Sequence, residues 1–139
     1  MIRPAALVSA VFLLAVQGRE MNSGIRPQVY TISRVISAQT QNIVISGSGF
    51  GYNRAYDGDS SYLWMVDQPP GLNFWRAGCP QQYGPCTTTL KVLTWTDSEI
   101  VVSGFTGNGQ YPQNGDLVNF FIWNPQTGHG PAAAARVVE

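Results

Sequence analysis

Hydrophobic and β-branched residues recur in short runs along the chain, with Gly, Asn, Asp and Pro between them. Such runs are typical of β-strands. Residues 28–139 contain no stretch with the period of an amphipathic helix. The pattern therefore predicts an antiparallel β-sandwich of about seven short strands. The predicted strands cover residues 29–36, 43–46, 62–67, 89–95, 99–103, 117–123 and 132–138.

The segment from Gln41 to Tyr52 (QNIVISGSGFGY) joins a clear strand pattern to a glycine-rich exit. Residues 42–46 are rich in β-branched side chains, and residues 47–51 place three glycines around Phe50. Glycine accepts positive φ angles and close backbone contact at little steric cost. We therefore expect a sharp exit from the strand that directs Phe50 back into the core.

The N-terminus is typical of a secretory signal peptide. Arg3 precedes an uninterrupted, largely apolar run at residues 5–16, which is too short to span a bilayer comfortably. We expect a signal peptide at 1–18, a flexible spacer at 19–27 and one domain at 28–139. The mature chain would then have no membrane span and would be secreted or held at the cell surface; an uncleaved N-terminal anchor is the alternative.

Three motifs, taken in order, resemble the immunoglobulin-like domain of the IPT/TIG type. They are IVISGSGFG at 43–51, TWTDSEIVVSGF at 94–105 and GDLVNFFIWNPQTG at 115–128. The resemblance covers most of residues 29–138 and implies an immunoglobulin-like sandwich. Domains of this type serve in receptor ectodomains, transcription factors, bacterial adhesins and polysaccharide-acting enzymes, usually as binding or spacing modules. Such a fold does not decide the function.

The long connection at residues 68–88 departs from that resemblance, since a compact domain of the type has a shorter one. It carries both cysteines, Cys79 and Cys86, close together in a Pro-rich turn. In an exported chain this spacing predicts a local disulfide rather than free or intermolecularly paired thiols. Two cysteines and one histidine are too few for a zinc site.

Aromatic residues and an arginine beside the predicted disulfide suggest a ligand-binding patch. It comprises Phe74, Trp75, Arg76 and Tyr83. Aromatic faces stack on sugar rings or act with arginine in protein interfaces, and a rigid loop loses less entropy on binding. The alternative is that Phe74 and Trp75 cap the core.

A second candidate surface comes from the strand at 117–123. Alternation places Val118, Phe120 and Ile122 on the core face, so Phe121 and Trp123 would lie on the outer face as a contact surface. The alternative is a strand that is buried on both sides.

Charge and motif content exclude several function classes. The formal net charge is zero and only 12% of residues are charged, so no basic patch is available for nucleic acid. Asp57 and Asp59 could begin a calcium loop, but the distal bidentate glutamate is missing, and we expect a solvated turn and no metal or other cofactor. His129 lies between glycines without an obvious orienting group, and known catalytic motifs are missing.

The sequence therefore favours a secreted, non-catalytic module that binds carbohydrate or another surface ligand, such as a protein. A structural or self-associating extracellular protein is the second hypothesis. An enzyme is the third and is not expected. A carboxylate pair for glycoside hydrolysis would have to come from four aspartates between which the sequence does not choose: Asp57, Asp59, Asp67 and Asp116.

Overall fold

The computed structural model describes residues 25–80 and 86–139, and these residues are all-β with no helix. The described strands are β1 (Gln28–Ile32), β2 (Thr40–Ser48), β3 (Tyr56–Gly58), β4 (Leu63–Gln68), β5 (Trp75–Ala77), β6 (Thr88–Trp95), β7 (Glu99–Gly107), β8 (Leu117–Ile122) and β9 (Ala132–Val137). The all-β prediction is confirmed, and each of the seven predicted strands is present. The short strands β3 and β5 were not predicted, because three residues are too few to show an alternating pattern.

The predicted strand limits were less accurate than the strand positions. β1 ends at Ile32 rather than at residue 36, since the Ser33 hydroxyl beyond it accepts a hydrogen bond from the Val44 amide. β2 continues past residue 46, because Gly47 and Ser48 still pair with β1. Gly47 and Ser48 thus extend β2, and Ser33 shortens β1, through contacts with residues that are distant in the sequence.

The strands form one mixed sheet in the order β1-β2-β7-β6-β5-β4-β8-β9, with β3 paired to β6 off this path. Pairings are antiparallel except that of β5 with β6, which is parallel and joins the single residue pair Ala77 and Thr88. The sheet curls until it is nearly a barrel. Arg136 Nη1 in β9 donates to the Ile32 carbonyl in β1 at 2.8 Å, so the two end strands are held together.

Side chains that alternate along the strands fill the interior. In β8, Val118, Phe120 and Ile122 are buried whereas Asn119 and Phe121 are partly exposed, as the sequence predicts. The fully buried side chains of largest volume come from five strands and two connections: Phe50, Phe105, Phe120, Ile43, Ile45, Leu63, Met65, Leu90, Ile100, Ile122, Val35 and Val92.

The exit from β2 turns sharply and directs Phe50 into this core, as predicted. Gly49 and Gly51 have φ angles of 73° and 71°, which glycine adopts without strain. Phe50 has no exposed surface, and its carbonyl accepts a hydrogen bond from the buried Trp95 indole at 2.9 Å. A Cβ on Gly47 would lie 1.9 Å from the Gln28 carbonyl oxygen, so β1 crosses here at a distance that only glycine allows.

Candidate functional site

The long connection after β4 returns along the sheet as β5. The turn between them is closed by Gln68, whose side-chain amide donates to the carbonyls of Pro69 and Leu72 at 3.0 and 2.8 Å. β5 then runs antiparallel to β4, with Trp75 opposite Asp67 and Arg76 opposite Val66. The connection therefore adds an ordered strand to the sheet next to the predicted binding residues.

Cys79 and Cys86 form the predicted disulfide. Cys79 is buried, and the preceding Gly78 amide donates to the Thr88 carbonyl at 3.0 Å. The disulfide thus joins the end of β5 to the residues that lead into β6.

Adjacent residues of a strand point to opposite faces, so the Trp75 and Arg76 side chains lie on different faces of β5. Trp75 is half-buried and packs against the core, which confirms part of the core-capping alternative. The Arg76 guanidinium carbon lies 5.1 Å from the centroid of the Phe74 ring and 6.0 Å from that of Trp64, on the outer face. Phe74 is 52% exposed. The structure brings Phe74, Trp75 and Arg76 together, whereas Tyr83 lies outside the described residues.

Trp75 stands between two grooves, which together we call the Trp75 cleft. The disulfide groove, of about 250 Å³, is lined by Phe74, Arg76, Thr87 and the disulfide. The proline groove, of about 420 Å³, is lined by the residues of two separate turns: Pro69, Pro70, Leu72, Asn73, Tyr111, Gln113 and Asp116. Trp75 and Gln110 line both grooves, so these two residues form the boundary between the grooves.

The walls of the cleft are mainly uncharged, and they combine polar side chains with the apolar prolines and Leu72 of the proline groove. Gln110, Thr87, Asn73 and Gln113 supply amide and hydroxyl groups. The charged residues among those lining the two grooves are Arg76 and Asp116, one at each end. Residues 107–116 were not predicted to belong to the site, because they are far from β5 in the sequence.

Two carboxyl groups meet behind the proline groove. Asp67 is fully buried on the inner face of β4, and neither of its carboxyl oxygens has a hydrogen-bond partner among the described residues. Burial first, and then the neighbouring Asp116 carboxyl, raise the pKa of Asp67 from 3.8 to about 8. Among the four aspartates considered from sequence, the structure therefore brings Asp67 and Asp116 together.

The outer face of β4 and β8 carries stacked aromatic rings, which we call the outer aromatic stack. The Trp64 ring centroid lies 5.1 Å from that of Phe121, with an interplanar angle of 29°. It lies 6.0 Å from that of Trp123, with an angle of 13°. All three side chains are partly exposed, so the predicted outer position of Phe121 and Trp123 is confirmed.

The remaining candidate residues have structural contacts. The Asp57 carboxylate accepts hydrogen bonds from the hydroxyls of Thr89 and Thr106 at 3.1 and 2.5 Å. These bonds join β3 to β6 and β7. Within residues 25–80 and 86–139, no group of three or more His, Cys, Asp or Glu side chains could hold a metal ion. His129 Nδ1 lies 3.1 Å from the Ile25 carbonyl oxygen. The predicted signal peptide lies outside the described residues.

No helix in the described part of the chain has the length and apolar character needed to cross a membrane.

Replacing both Cys79 and Cys86 with serine should lower the free energy of unfolding by about 2–3 kcal/mol. The short loop is then no longer closed in the unfolded chain, whose conformational entropy rises. Urea unfolding of the double variant measures the loss, and the same experiment on reduced wild-type protein should give the same value. The fold should persist, because the core lies elsewhere; an unchanged free energy of unfolding would contradict the prediction.

The chain matches no protein-family model, no curated protein and no solved structure in comparisons with each.

Proposed function

We propose that the protein is a secreted, non-catalytic binding module of the immunoglobulin-like IPT/TIG type, whose Trp75 cleft takes a carbohydrate. The observation that carries the proposal is a half-buried tryptophan between two open grooves whose walls are mainly uncharged and offer both polar and apolar groups. Export rests on the N-terminal sequence, with Arg3 before an apolar run.

The strand order supports the immunoglobulin-like part of the proposal. The order β1-β2-β7-β6 corresponds to strands A, B, E and D of an immunoglobulin sandwich, and β4-β8-β9 corresponds to C, F and G. The two groups are joined through β5, which pairs with β6 at one residue position. A sandwich whose two sheets are bridged by the added strand β5 accounts for this connection.

The chemistry of the cleft suits a neutral oligosaccharide. Aromatic side chains present apolar faces that can cover the C–H face of a sugar ring. Gln110 and Thr87 offer hydrogen-bond donors and acceptors of the kind that hydroxyl groups need. Two grooves that share Trp75 can accept neighbouring units of a chain. Few aromatic contacts are available, so each unit should bind weakly.

Phe74→Ala should weaken binding of a neutral oligosaccharide about two- to tenfold, since one aromatic contact contributes about 0.5–1.5 kcal/mol. The melting temperature should stay the same, because the Phe74 side chain is half exposed and lies outside the core. Calorimetric titration with β-linked hexasaccharides of glucose, mannose and galactose, chosen after an array screen, measures the change.

The control for this experiment is Tyr52→Ala, which removes an aromatic residue of similar exposure that does not line either groove. It should bind as the wild type does.

Trp75→Phe keeps an aromatic ring against the core and should weaken binding without unfolding the protein. Equal affinities of wild type and Phe74→Ala for every bound sugar would place the ligand elsewhere.

Self-association through the outer aromatic stack is the second candidate function. It is favoured by three partly exposed aromatic side chains on one sheet face, with Leu117 of β8 and Val137 of the neighbouring β9 also exposed. Rings that stack on one another present mainly their edges, which suits protein contact better than stacking on a sugar. Sedimentation equilibrium decides between the candidates, since the binding module works as a monomer.

A further inference from the structure

Asp67 is an ionisable residue that has no salt-bridge partner in the described part of the chain. It is fully buried, lies in β4 between Val118 of β8 and Trp75 of β5, and receives no hydrogen bond from the described residues. Its polar neighbour is the carboxyl group of Asp116, which is 3% exposed. Two ionised carboxylates in contact without a cation repel each other and lose their hydration.

We propose that Asp67 and Asp116 share one proton, and that the hydrogen bond formed by this proton holds the wall of the proline groove against β4. We call this hydrogen bond the latch; the latched state has it and the open state lacks it. A protonated carboxyl can donate to an ionised one, so a single proton removes the repulsion and supplies the missing hydrogen bond. The proposal concerns the regulation of the Trp75 cleft, and its consequence for ligand binding rests on the proposed function.

Asp116 organises the turn that forms this wall. Its Oδ2 accepts from the Gln113 amide at 3.0 Å, and its own amide donates to the Gln113 carbonyl at 3.0 Å. Its carbonyl accepts from the Val138 amide at 2.8 Å. Gln113 and Asp116 both line the proline groove. A bond from Asp67 to Asp116 therefore ties the groove wall to the neighbouring sheet.

Within residues 25–80 and 86–139, no salt bridge to Asp67 is formed. On β5, Arg76 faces the outer side, beside Trp64. On β9, Arg136 is opposite Val118, two strands away from Asp67, and donates to the Ile32 carbonyl. Tyr111, in the connection to β8, lines the same groove, and a phenol side chain never carries a positive charge. A proton is thus the available means of neutralising the pair.

The direction of the pH effect follows from linkage. The pKa of Asp67 is raised from 3.8 to about 8, first by burial and then by Asp116, so the latched state binds the proton more tightly than the open state. Its stability is therefore greatest at low pH and declines as the pH rises between these two values, by at most about tenfold in the equilibrium constant per pH unit. The wall should be held most firmly in acid and loosen through neutral pH, with little further change above about pH 8.

Hydrogen exchange of the Gln113 amide, followed by NMR, tests the latch without any ligand. Between about pH 6 and about pH 9 its protection factor should fall about tenfold or more in the wild type. Asp67→Asn keeps a donor for Asp116 and cannot ionise, so its protection should not change. Two controls apply: Glu99→Gln, an exposed carboxylate, should behave as the wild type, and the Phe105 amide, bonded to the Gln39 carbonyl, should keep its protection.

Several results would overturn the proposal. A pH-independent Gln113 protection factor in the wild type would do so, as would a fall that persists in Asp67→Asn. A ¹³C titration of the wild-type Asp67 carboxyl with a midpoint near the ordinary value of about 4 would do so even if the variant fails to fold. Restoration of protection by millimolar calcium chloride at alkaline pH, in the wild type alone, would make the pair a cation site instead.

These readouts are independent of the carbohydrate proposal. If the array screen identifies a sugar, its affinity for the wild type should decline from about pH 6 to about pH 9, whereas its affinity for Asp67→Asn should not. A latch that behaves as expected in a protein that binds no sugar would reject the proposed function and leave the latch intact.

Discussion

Replacing Phe50 with alanine is expected to lower the free energy of unfolding by about 3–5 kcal/mol, the cost of removing a buried aromatic ring. Phe50 is fully buried, and its terminal ring carbon would lie 2.7 Å from a Cβ built on Gly47. The surrounding strands cannot close the cavity, since the two glycines beside Phe50 already have positive φ angles that define the turn. Guanidinium unfolding measures the loss.

Tyr52→Ala is the matched control for this variant. Tyr52 is an aromatic residue two positions further on, and its side chain is 64% exposed. Its amide and carbonyl hydrogen-bond to the Gln126 side chain and would remain in place. We expect a change within about 0.5 kcal/mol. Equal losses of unfolding free energy in the two variants would contradict the placement of the Phe50 ring in the core.

Asn124→Ala should cost about 2–4 kcal/mol, because three hydrogen bonds of about 0.5–1.5 kcal/mol each are lost in a buried position. The Asn124 side-chain amide donates to the Gly49 carbonyl at 3.0 Å, and its oxygen accepts from the amides of Gln126 and Thr127 at 2.8 and 3.2 Å. The bond to Gly49 joins the turn after β8 to the exit from β2, and the other two bonds hold the turn itself. Urea unfolding compares the variant with the wild type.

Asn124→Asp separates the parts of this network. It keeps an oxygen for the two turn amides but cannot donate to Gly49, so it should remain destabilised. Asn114→Ala, at an exposed turn position, should be close to neutral. A free energy of unfolding for Asn124→Ala within about 0.5 kcal/mol of the wild type would show that water replaces the lost bonds.

Local patterns predicted the strands well because alternation is a property of each strand by itself. Val118, Phe120 and Ile122 are buried as predicted, and Phe121 lies on the outer face. Phe50 enters the core as its flanking glycines indicate. The strand limits were less certain, since Ser33 and Gly47 end or extend a strand through partners elsewhere in the chain.

The candidate site was predicted in part. Phe74, Trp75 and Arg76 are neighbours in sequence and space, so composition was enough to identify them. Gln110 and Tyr111 were missed, because they join the site only when the turn before β8 folds next to the turn after β4. No local pattern marks a polar residue in a distant turn as part of a groove.

Residues that are close along the chain were enough to predict the seven longer strands, the side chains that face inward and the cysteine pair. Long-range packing joins these strands into one nearly closed sheet and places Trp75 beside Gln110 and Asp67 beside Asp116, which no local pattern shows. Those contacts depend on the twist and order of strands that are distant in sequence. That twist and order arise from the packing of all the buried side chains together.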